Sequence, residues 1–245
     1  MNYVEYGKEN KYDDDIFFQK YSQMSRSQQG LAGAGEWETL RKLLPDFKDK
    51  RVLDLGCGYG WHCIYAMEHG ASSVVGVDIS HKMLEVAKEK THFPQVEYKC
   101  CAIEDVEFPE ESFDVILSSL AFHYVADYEI LVKKIYRILK SGGNLVFTAY
   151  GTQDWYYNEK GEILHFPVDN YYYEGKRTAV FLGEKVTKFH RTLTTYLNTL
   201  LSNGFIINHI VEPQPPENMM DIPGMQDEMR RPMMLIVSAN KKMDR

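Results

Sequence analysis

The sequence predicts an α/β domain: a three-layer α-β-α sandwich around a seven-stranded, mostly parallel sheet with an antiparallel C-terminal strand. Short apolar segments alternate with helical segments between residues 51 and 150, which is typical of parallel strands covered on both faces. A glycine-rich turn follows the first of these strands. Two more apolar strands near the end of the chain, joined by a long connection, favour an antiparallel addition at one edge.

Residues 1–45 precede this alternation and predict a helical cap. Residues 16–28 mix apolar and polar side chains at roughly helical spacing, and a glycine-rich break follows at residues 30–35. In residues 36–44 one tryptophan and three leucines share a helical face, and Pro45 is expected to end the segment.

Residues 46–150 form the predicted core. Its strands are expected at residues 51–55, 73–78, 96–101, 113–120 and 144–150. Its helices are expected at residues 61–68, 80–90 and 128–139, the last stopped by Ser-Gly-Gly at 141–143. The 113–120 strand is expected at the centre of the sheet, because turn signals bound its apolar run and a helix follows it.

Residues 151–190 break the alternation. They are rich in aromatic side chains and poor in aliphatic ones, which predicts an inserted lid. Residues 191–245 are then expected to complete the same sheet, with a helix at 191–205, strands at 205–213 and 233–241, and a long connection between them.

The composition limits the class of protein. At 245 residues, the chain is long enough for one large α/β domain. Its 28 Lys and Arg residues against 35 Asp and Glu residues give a net charge of −7, which opposes non-specific binding to nucleic acid. The four cysteines lack zinc-site spacing, so reduced thiols and no metal site are expected.

The N-terminal residues lack the basic and apolar regions of a secretion signal. No stretch approaches the roughly 18 apolar residues of a membrane span. The sequence therefore predicts a cytoplasmic protein without a membrane partner.

The segment VLDLGCGYG at residues 52–60 carries the strongest functional signal. An apolar strand runs into Gly56, Gly58 and Gly60, and a helix begins immediately afterwards. Glycine permits positive φ and a close approach of a ligand to the backbone, while the N–H groups at a helix start attract negative charge. This first strand–helix turn is therefore a predicted nucleotide or cofactor site.

Two kinds of cofactor fit such a turn. The dinucleotide fingerprint G-x-G-x-x-G would need its third glycine at Trp61, where the large ring would crowd the helix–strand packing. The sequence instead reads G-x-G-x-G, preceded by Asp54. Asp78 ends the second strand, 22 residues after Gly56, where a carboxylate can bind the ribose hydroxyls of NAD or of any adenosine cofactor. An NAD-dependent oxidoreductase is the less favoured alternative.

Four segments together resemble the class I S-adenosylmethionine-dependent methyltransferases, which have a Rossmann-like fold. They are RVLDLGCGYGW, VVGVDIS, FDVILSSLAFHYV and LKSGGNLVFT, within about residues 50–150. Outside them, YSQMSRSQQGLAGAGEW and KFHRTLTTYLNTLLSNGF are similar to one subgroup of bacterial small-molecule methyltransferases. The resemblance implies S-adenosyl-L-methionine as methyl donor, S-adenosyl-L-homocysteine as product, and a helical cap over the cofactor site.

The resemblance also implies where the cofactor binds. Asp54, Gly56 and Gly58 would hold the methionine amino and carboxylate end, and Asp78 would bind the ribose hydroxyls. The remaining contacts would come from Ile79 and Met83 at the adenine, and from Ser118 and Leu120 beside the methionine part.

One position departs from the family pattern. The family usually has an aspartate after the third strand that contacts the adenine amino group, whereas CAIEDVEF at residues 101–108 puts Ala102 there. The amino contact is then expected from Glu104, a backbone carbonyl or water, and the N–H of Ile103 is expected to bind the ring.

Residues that act on the acceptor are less constrained by pattern, because methyl transfer needs a base only if the nucleophile must lose a proton. His123, after the fourth strand, and His190, after the aromatic segment, are candidate bases, with a structural role as the alternative for each. Further candidates are Tyr21 as an aromatic wall for the sulfonium, Arg26 for an anionic substrate or the cofactor carboxylate, and Tyr124, Tyr171 and Arg191 for the acceptor.

The sequence therefore predicts methyl transfer by in-line displacement to an oxygen or nitrogen atom of a small-molecule acceptor. The aromatic lid favours a partly apolar or planar acceptor. A non-catalytic cofactor-binding or regulatory protein is the first alternative. A nucleic-acid methyltransferase is disfavoured, because the segment after the fourth strand reads SSLAFHY instead of Asn/Asp-Pro-Pro-aromatic. A monomer or homodimer without a nucleic-acid partner is expected.

Overall fold

The structure is a computed structural model that describes residues 8, 10–150, 156–157, 163–165, 170–222, 225–229 and 232–243. Its strands are β1 (Arg51–Leu55), β2 (Ser73–Asp78), β3 (Val96–Cys100), β4 (Phe113–Ser119), β5 (Leu139–Tyr150), β6 (Tyr156–Tyr157), β7 (Ile163–His165), β8 (Gly175–Phe181), β9 (Glu184–His190), β10 (Phe205–Val211) and β11 (Met234–Lys241).

The α-helices are α1 (Asp15–Ser22), α2 (Ser25–Gln28), α3 (Trp37–Arg41), α4 (Trp61–Glu68), α5 (His81–Lys90), α6 (Tyr128–Ile138), α7 (Leu193–Ser202) and α8 (Met225–Glu228). Within the described ranges, none of them combines the length and the apolar character that spanning a membrane requires.

Seven strands form one sheet in the order β10-β11-β5-β4-β1-β2-β3. β11 runs antiparallel to both of its neighbours, and the other adjacent pairs are parallel. The predicted fold class is confirmed, and β4 lies at the centre of the sheet, as expected for the 113–120 segment. Because β1 to β4 are parallel, their carboxyl ends meet at one edge.

Alternating side chains of the central strands bury both faces of the sheet. Leu53 and Ile116 pack into one buried cluster, whereas Val52 and Val115 pack into another on the opposite face. This division follows from the two-residue repeat of a strand. Continuous apolar segments therefore mark strands that are covered on both sides.

The prediction that Ser-Gly-Gly stops α6 was wrong, because a strand follows the helix directly. β5 begins at Leu139, the residue after α6. Between the pairs Phe113–Leu139 and Val115–Asn144, β4 advances two residues while β5 advances five. The surplus residues include Gly142, with φ of +72°, and form a bulge within the strand.

The N-terminal helices are shorter than the sequence pattern predicts. Residues 16–28 do not form one helix, because Met24 adopts an extended conformation with ψ of 148° and separates α1 from α2. α1 begins after Asp14, whose carboxylate accepts hydrogen bonds from the backbone N–H groups of Ile16 and Phe17. The helix expected at 36–44 is limited to α3.

In the described part of residues 151–190, β6 pairs antiparallel with β7, and β8 and β9 form an antiparallel hairpin. The turn of the β8–β9 hairpin contacts α1. The Lys20 Nζ donates a hydrogen bond to the carbonyl oxygen of Leu182 at 3.0 Å, and the rings of Phe17 and Phe181 meet edge to face at 5.7 Å. The N-terminal segment and this hairpin therefore contact each other directly.

The carboxylate of Asp13 attaches the N-terminal segment to the start of α5. It accepts hydrogen bonds from the Ser80 hydroxyl at 2.6 Å and from the backbone N–H of Lys82 at 3.2 Å. Burial alone would raise the pKa of Asp13, but these hydrogen bonds lower it overall. The attachment is therefore fully formed at neutral pH and is lost only as the pH falls below about 4.

Asp54 on β1 places a carboxyl group inside the core. Its Oδ2 accepts a hydrogen bond from the Cys63 Sγ at 3.5 Å, and its Oδ1 has no hydrogen-bond partner in the part of the chain that the structure describes. Burial raises the pKa of Asp54 to about 7, because the ionised form loses its hydration. The folded protein thus retains a proton that the unfolded chain releases at about pH 4.

Replacing Asp54 by asparagine tests this cost of burial. We expect wild-type stability to fall as the pH rises from about 4 to 7, because only the folded state still binds the proton in that window. Asp54→Asn has no such proton, so its stability relative to wild type should rise by roughly 2–3 kcal/mol between about pH 5 and pH 8. Urea unfolding at both pH values measures the difference, and a pH-independent difference would contradict it.

Replacing Asp13 by alanine should loosen the N-terminal segment. Loss of a capping carboxylate costs about 1–2 kcal/mol, which raises the open population about 5–30-fold. Hydrogen exchange of α1 should accelerate by that factor. Asp46→Ala is the control, since Asp46 is an exposed acid outside the N-terminal segment. Equal acceleration in both variants would show that Asp13 is not the attachment.

Candidate functional site

A cavity of about 370 Å³ lies at the edge of the sheet where β1 to β4 end. Its floor comes from the turns after these strands. The residues that line it are Gly56, Gly58, Asp78, Ile79, Ala102, Ile103, Glu104, Ser119, Leu120, Ala121, His123, Tyr124 and Val125. Its cover comes from the N-terminal segment, the β8–β9 hairpin and the connection between β10 and β11. The carboxyl edge of a parallel sheet is where α/β folds bind ligands.

The turn after β1 needs glycine for two different reasons. Gly56 has φ of +78°, and a Cβ there would lie 2.4 Å from the Cβ of Ala121, which follows β4. Gly58 has φ of +53°, and a Cβ there would meet no atom within 4 Å. Gly56 therefore permits close packing of two turns, whereas Gly58 leaves the backbone open to the cavity.

Asp78 joins the end of β2 to the glycine turn. Its Oδ2 accepts a hydrogen bond from the Gly58 N–H at 2.9 Å, and its Oδ1 accepts one from the Ser80 N–H at 2.9 Å. Burial raises the pKa of Asp78 more than these hydrogen bonds lower it. A carboxylate has about four acceptor positions, so each oxygen keeps capacity for a ligand hydroxyl.

Beyond Asp78, the cavity wall is mainly apolar. Ile79 and Met83 line it, followed by Ala102 and Ile103 from the turn after β3. The carboxyl group of Glu104 is close to them, and burial raises its pKa. Apolar side chains beside a few polar groups suit a flat heterocycle with polar edges.

An ion pair from the N-terminal segment lies next to the glycine turn. The Arg26 Nη2 donates hydrogen bonds to both carboxylate oxygens of Glu36, at 3.1 and 2.9 Å, and Glu36 is only 3% exposed. Burial disfavours the Arg26 cation, but Glu36, together with Tyr21 and Tyr12, raises the pKa of Arg26 overall. The ring of Tyr21 stands beside this pair, edge to face with Tyr12 at 5.2 Å and with Tyr59 at 5.8 Å.

A buried imidazole lines the cavity at the turn after β4. His123 is 2% exposed, and its pKa lies well below the usual range because of burial and the nearby Lys188 and Arg191 cations. The adjacent hydroxyl of Tyr124 lies 3.2 Å from that of Tyr12. His123 is therefore a neutral group that can accept a hydrogen bond or a proton.

Two cofactor candidates lie behind the cavity. Asp54 is fully buried next to Cys63 and does not line the cavity. Ser118 is also buried, and its hydroxyl donates to the Leu55 carbonyl at 2.8 Å. All other residues predicted to contact the cofactor line the cavity: Tyr21, Arg26, Gly56, Gly58, Asp78, Ile79, Met83, Ala102, Ile103, Glu104 and Leu120.

Three candidates for the acceptor or the base lie outside the cavity: Tyr171, His190 and Arg191. The Nε2 of His190 forms a hydrogen bond with the carbonyl oxygen of Tyr171 at 2.8 Å. The guanidinium of Arg191 donates to the carbonyl oxygens of Phe122 and Ala126, at 3.3 and 3.0 Å. Arg191 thus holds the turn that carries His123. Among the residues predicted to contact the acceptor, Tyr124 lines the cavity.

Sequence reasoning missed a large part of the cover. Residues 213–232 were expected only to connect two strands, yet they line the cavity through Met219, Ile222 and Met225, among others. Met233 and Met234, at the start of the predicted final strand, line it too. Lys8 and Tyr12 line it as well. The available signal was the density of methionine in a Pro-rich connection, since methionine side chains adapt to irregular apolar ligands.

Comparison with known proteins agrees with this geometry. The family described as a methyltransferase domain matches residues 53–147. A solved structure from Listeria monocytogenes, assigned to the S-adenosylmethionine-dependent methyltransferases, is 54% identical, with coverage of 87% of this chain and 99% of that one and a TM-score of 0.82. An S-adenosylmethionine-dependent methyltransferase from Mesorhizobium loti is 39% identical, with coverage of 86% and 100% and a TM-score of 0.78.

An uncharacterized protein of Haemophilus influenzae is 33% identical over 250 residues, which covers 94% of this chain and 96% of that protein. These three proteins thus match along almost their entire length. The cavity supports the same assignment, because it contains a carboxylate suited to ribose hydroxyls and a glycine turn open to an amino-acid tail. The chain therefore belongs to the S-adenosylmethionine-dependent methyltransferases.

Proposed function

We propose that the protein transfers a methyl group from S-adenosylmethionine to an oxygen or nitrogen atom of a small-molecule acceptor. The observation that carries this proposal is that one cavity contains both the residues suited to the cofactor and the buried imidazole of His123. A covered cavity of this size suits a small molecule better than a polymer.

In this proposal, Asp78 binds the ribose hydroxyls through acceptor positions that Gly58 and Ser80 do not use. Ile79 and Met83 pack against the adenine. The polar edge of the adenine is bound by the N–H of Ile103 and the carboxyl group of Glu104, next to Ala102.

The amino-acid end of the cofactor lies on the glycine turn. Gly58 exposes backbone there, and the Arg26 guanidinium is close enough to the cavity to bind a carboxylate. Leu120 and the ring of Tyr21 flank the sulfonium, where an aromatic face is favourable to positive charge. The N-terminal segment would thus cap the cofactor site and exclude water.

When bound, S-adenosylmethionine supplies an electrophilic methyl carbon, and the electron pair of the broken carbon–sulfur bond stays on the sulfur. The lone pair of the acceptor atom forms the new bond, in line with the bond that breaks. His123 accepts the hydrogen bond, and then the proton, of an acceptor that must lose one, and the proton passes on to solvent. Burial and the nearby cations lower the pKa of His123, which keeps the imidazole unprotonated but also makes it a weak base, so the proton leaves the acceptor only as the new bond forms.

Partial relatives support a small-molecule acceptor. The ubiquinone biosynthesis O-methyltransferase of Bradyrhizobium diazoefficiens is 35% identical over 102 residues, 40% of this chain and 39% of that protein. Phosphoethanolamine N-methyltransferase 3 of Arabidopsis thaliana is 32% identical over 127 residues, 50% of this chain and 26% of that protein. One of these relatives is named as an O-methyltransferase and the other as an N-methyltransferase, so they do not distinguish an oxygen from a nitrogen as the acceptor atom.

Asp78→Ala should weaken S-adenosylhomocysteine binding by about 30- to 1000-fold, because two hydrogen bonds to a charged acceptor contribute roughly 2–4 kcal/mol. The measurement is titration calorimetry, with Asp46→Ala as the control for loss of an exposed acid.

Asp78→Ala also releases Gly58 and Ser80, so a second ligand separates the two effects. Wild type should bind S-adenosylhomocysteine at least about tenfold more tightly than its 2′-deoxy analogue, and Asp78→Ala should bind both equally. Equal affinity of wild type for both ligands would rule out the ribose contact.

His123→Asn should lower turnover by about 100- to 10,000-fold with phenol and amine acceptors, while S-adenosylhomocysteine affinity stays unchanged. The readout is S-adenosylhomocysteine release across an acceptor panel. His190→Asn is the matched control, because His190 lies outside the cavity. A loss in His190→Asn alone would assign the base to His190, and cofactor binding without turnover on any acceptor would favour the non-catalytic alternative.

A further inference from the structure

The cavity extends along the edge of the sheet across five strands. At this edge β2, β1, β4, β5 and β11 follow one another. Asp78 ends β2 and Met234 begins β11, and both residues line the cavity. Met234 pairs with Tyr150, the last residue of β5, so the start of β11 lies at the same edge as the ends of the parallel strands. Because neighbouring strands are about 4.8 Å apart, four strand spacings separate Asp78 from Met234 by roughly 19 Å along the edge.

The proposed cofactor contacts occupy only one end of this cavity. Asp78, the glycine turn and Leu120 follow β2, β1 and β4, whereas no proposed cofactor contact comes from β5 or β11. The turn that carries His123 contacts β5, and the rings of Phe122 and Phe147 on β5 lie 4.8 Å apart. The cofactor end and the end over β5 and β11 therefore meet at this turn. We call the second of these the acceptor end.

The wall of the acceptor end is apolar. It is formed by the methionine wall, which consists of Met219, Ile222, Met225, Met233 and Met234. The connection that carries most of this wall packs against the N-terminal segment, because a Cβ on Gly35 would lie 3.8 Å from Pro216 and 4.0 Å from the Sδ of Met219. The methionine wall therefore encloses the cavity together with the cap.

An acceptor with an apolar body gains most from such a wall. Thioether and aliphatic side chains offer no hydrogen bonds to replace the hydration that a charged or polar body loses on entry. Methionine side chains also adapt their shape to an irregular apolar ligand. Two charged residues of the cover, Lys188 and Glu228, line the cavity as well, and each already takes part in an interaction within the protein.

We propose that the methyl acceptor carries an uncharged apolar body, such as an alkyl chain, which packs against the methionine wall. Its reacting hydroxyl or amino group then lies at the turn of His123, where the acceptor end meets the cofactor end. This inference rests on the proposed function, since it names the substrate class of the same cavity. The methionine wall selects the acceptor by its apolar length, because each buried methylene adds a similar gain in affinity.

A series of 4-alkylphenols tests the apolar site without requiring turnover. Titration calorimetry with saturating S-adenosylhomocysteine measures the affinity of the methyl, ethyl, propyl and butyl compounds. Wild type should bind about fourfold more tightly for each added methylene, the value of full burial. The double variant Met219→Gln/Met225→Gln keeps the side-chain length but adds polar amides, so its gain should fall below about twofold per methylene.

Met229→Gln is the matched control, because Met229 lies four residues after Met225, is 52% exposed and is outside the cavity. It should keep the wild-type gain per methylene. S-adenosylhomocysteine binding by each variant reports that the fold and the cofactor end are intact. A wild-type gain below twofold, including no binding of any alkylphenol, would overturn the proposal, as would an undiminished gain in the double variant.

Two charged phenols of similar size test the requirement for an uncharged body. Tyramine and 4-hydroxyphenylacetate should each bind wild type at least about tenfold more weakly than 4-propylphenol, because their charges lose hydration at the methionine wall. Tighter binding of either charged compound would also overturn the proposal and would assign a charged acceptor to the cavity.

Failure of this proposal differs from failure of the proposed function. Turnover of the alkylphenols with S-adenosylmethionine is followed separately, as release of S-adenosylhomocysteine. A gain per methylene that depends on the methionine wall, without turnover of these or any other acceptors, would retain the apolar site and reject the enzymatic function. Turnover of small charged acceptors that is unaffected in the double variant would retain the function and reject the apolar site.

Discussion

The close contact between the turns after β1 and β4 is the constraint on which the rest of the site depends. A Cβ on Gly56 would lie 2.4 Å from the Cβ of Ala121, so the two turns can meet only because residue 56 has no side chain. This contact places the backbone of Gly58 beside the segment that carries His123. The hydrogen bond from the Gly58 N–H to Asp78 then fixes the turn after β2 relative to both. Three neighbouring strand ends are thereby held as one rigid floor.

The parts of the cover are attached to this floor and to one another by specific side-chain contacts. Asp13 holds the N-terminal segment to α5, and the turn of the β8–β9 hairpin reaches the same segment through Leu182 and Phe181. Arg191 supports the turn of His123 from the other side. These contacts hold the cover at the edge of the sheet where β1 to β4 end.

Charge is distributed unevenly inside the protein. Glu36 neutralises Arg26 beside the glycine turn, whereas burial raises the pKa of Asp54 to about 7 and lowers the pKa of His123. Lys188 brings positive charge to the region of His123.

The sequence by itself determined the sheet, its centre at β4 and most of the residues that line the floor of the cavity, because these are encoded locally. Apolar alternation identifies strands, and the glycine turn and Asp78 must follow particular strands to serve a ligand. The start of β5 was predicted at residue 144 but lies at Leu139, since the glycines expected to separate helix from strand also permit a bulge, and only pairing with β4 distinguishes the two. Tertiary structure alone decided which side chains converge on the acceptor: Lys188 and the methionines of residues 213–234 reach the cavity, whereas His190 and Arg191 do not. Such convergence depends on how distant segments pack, and no local pattern records it.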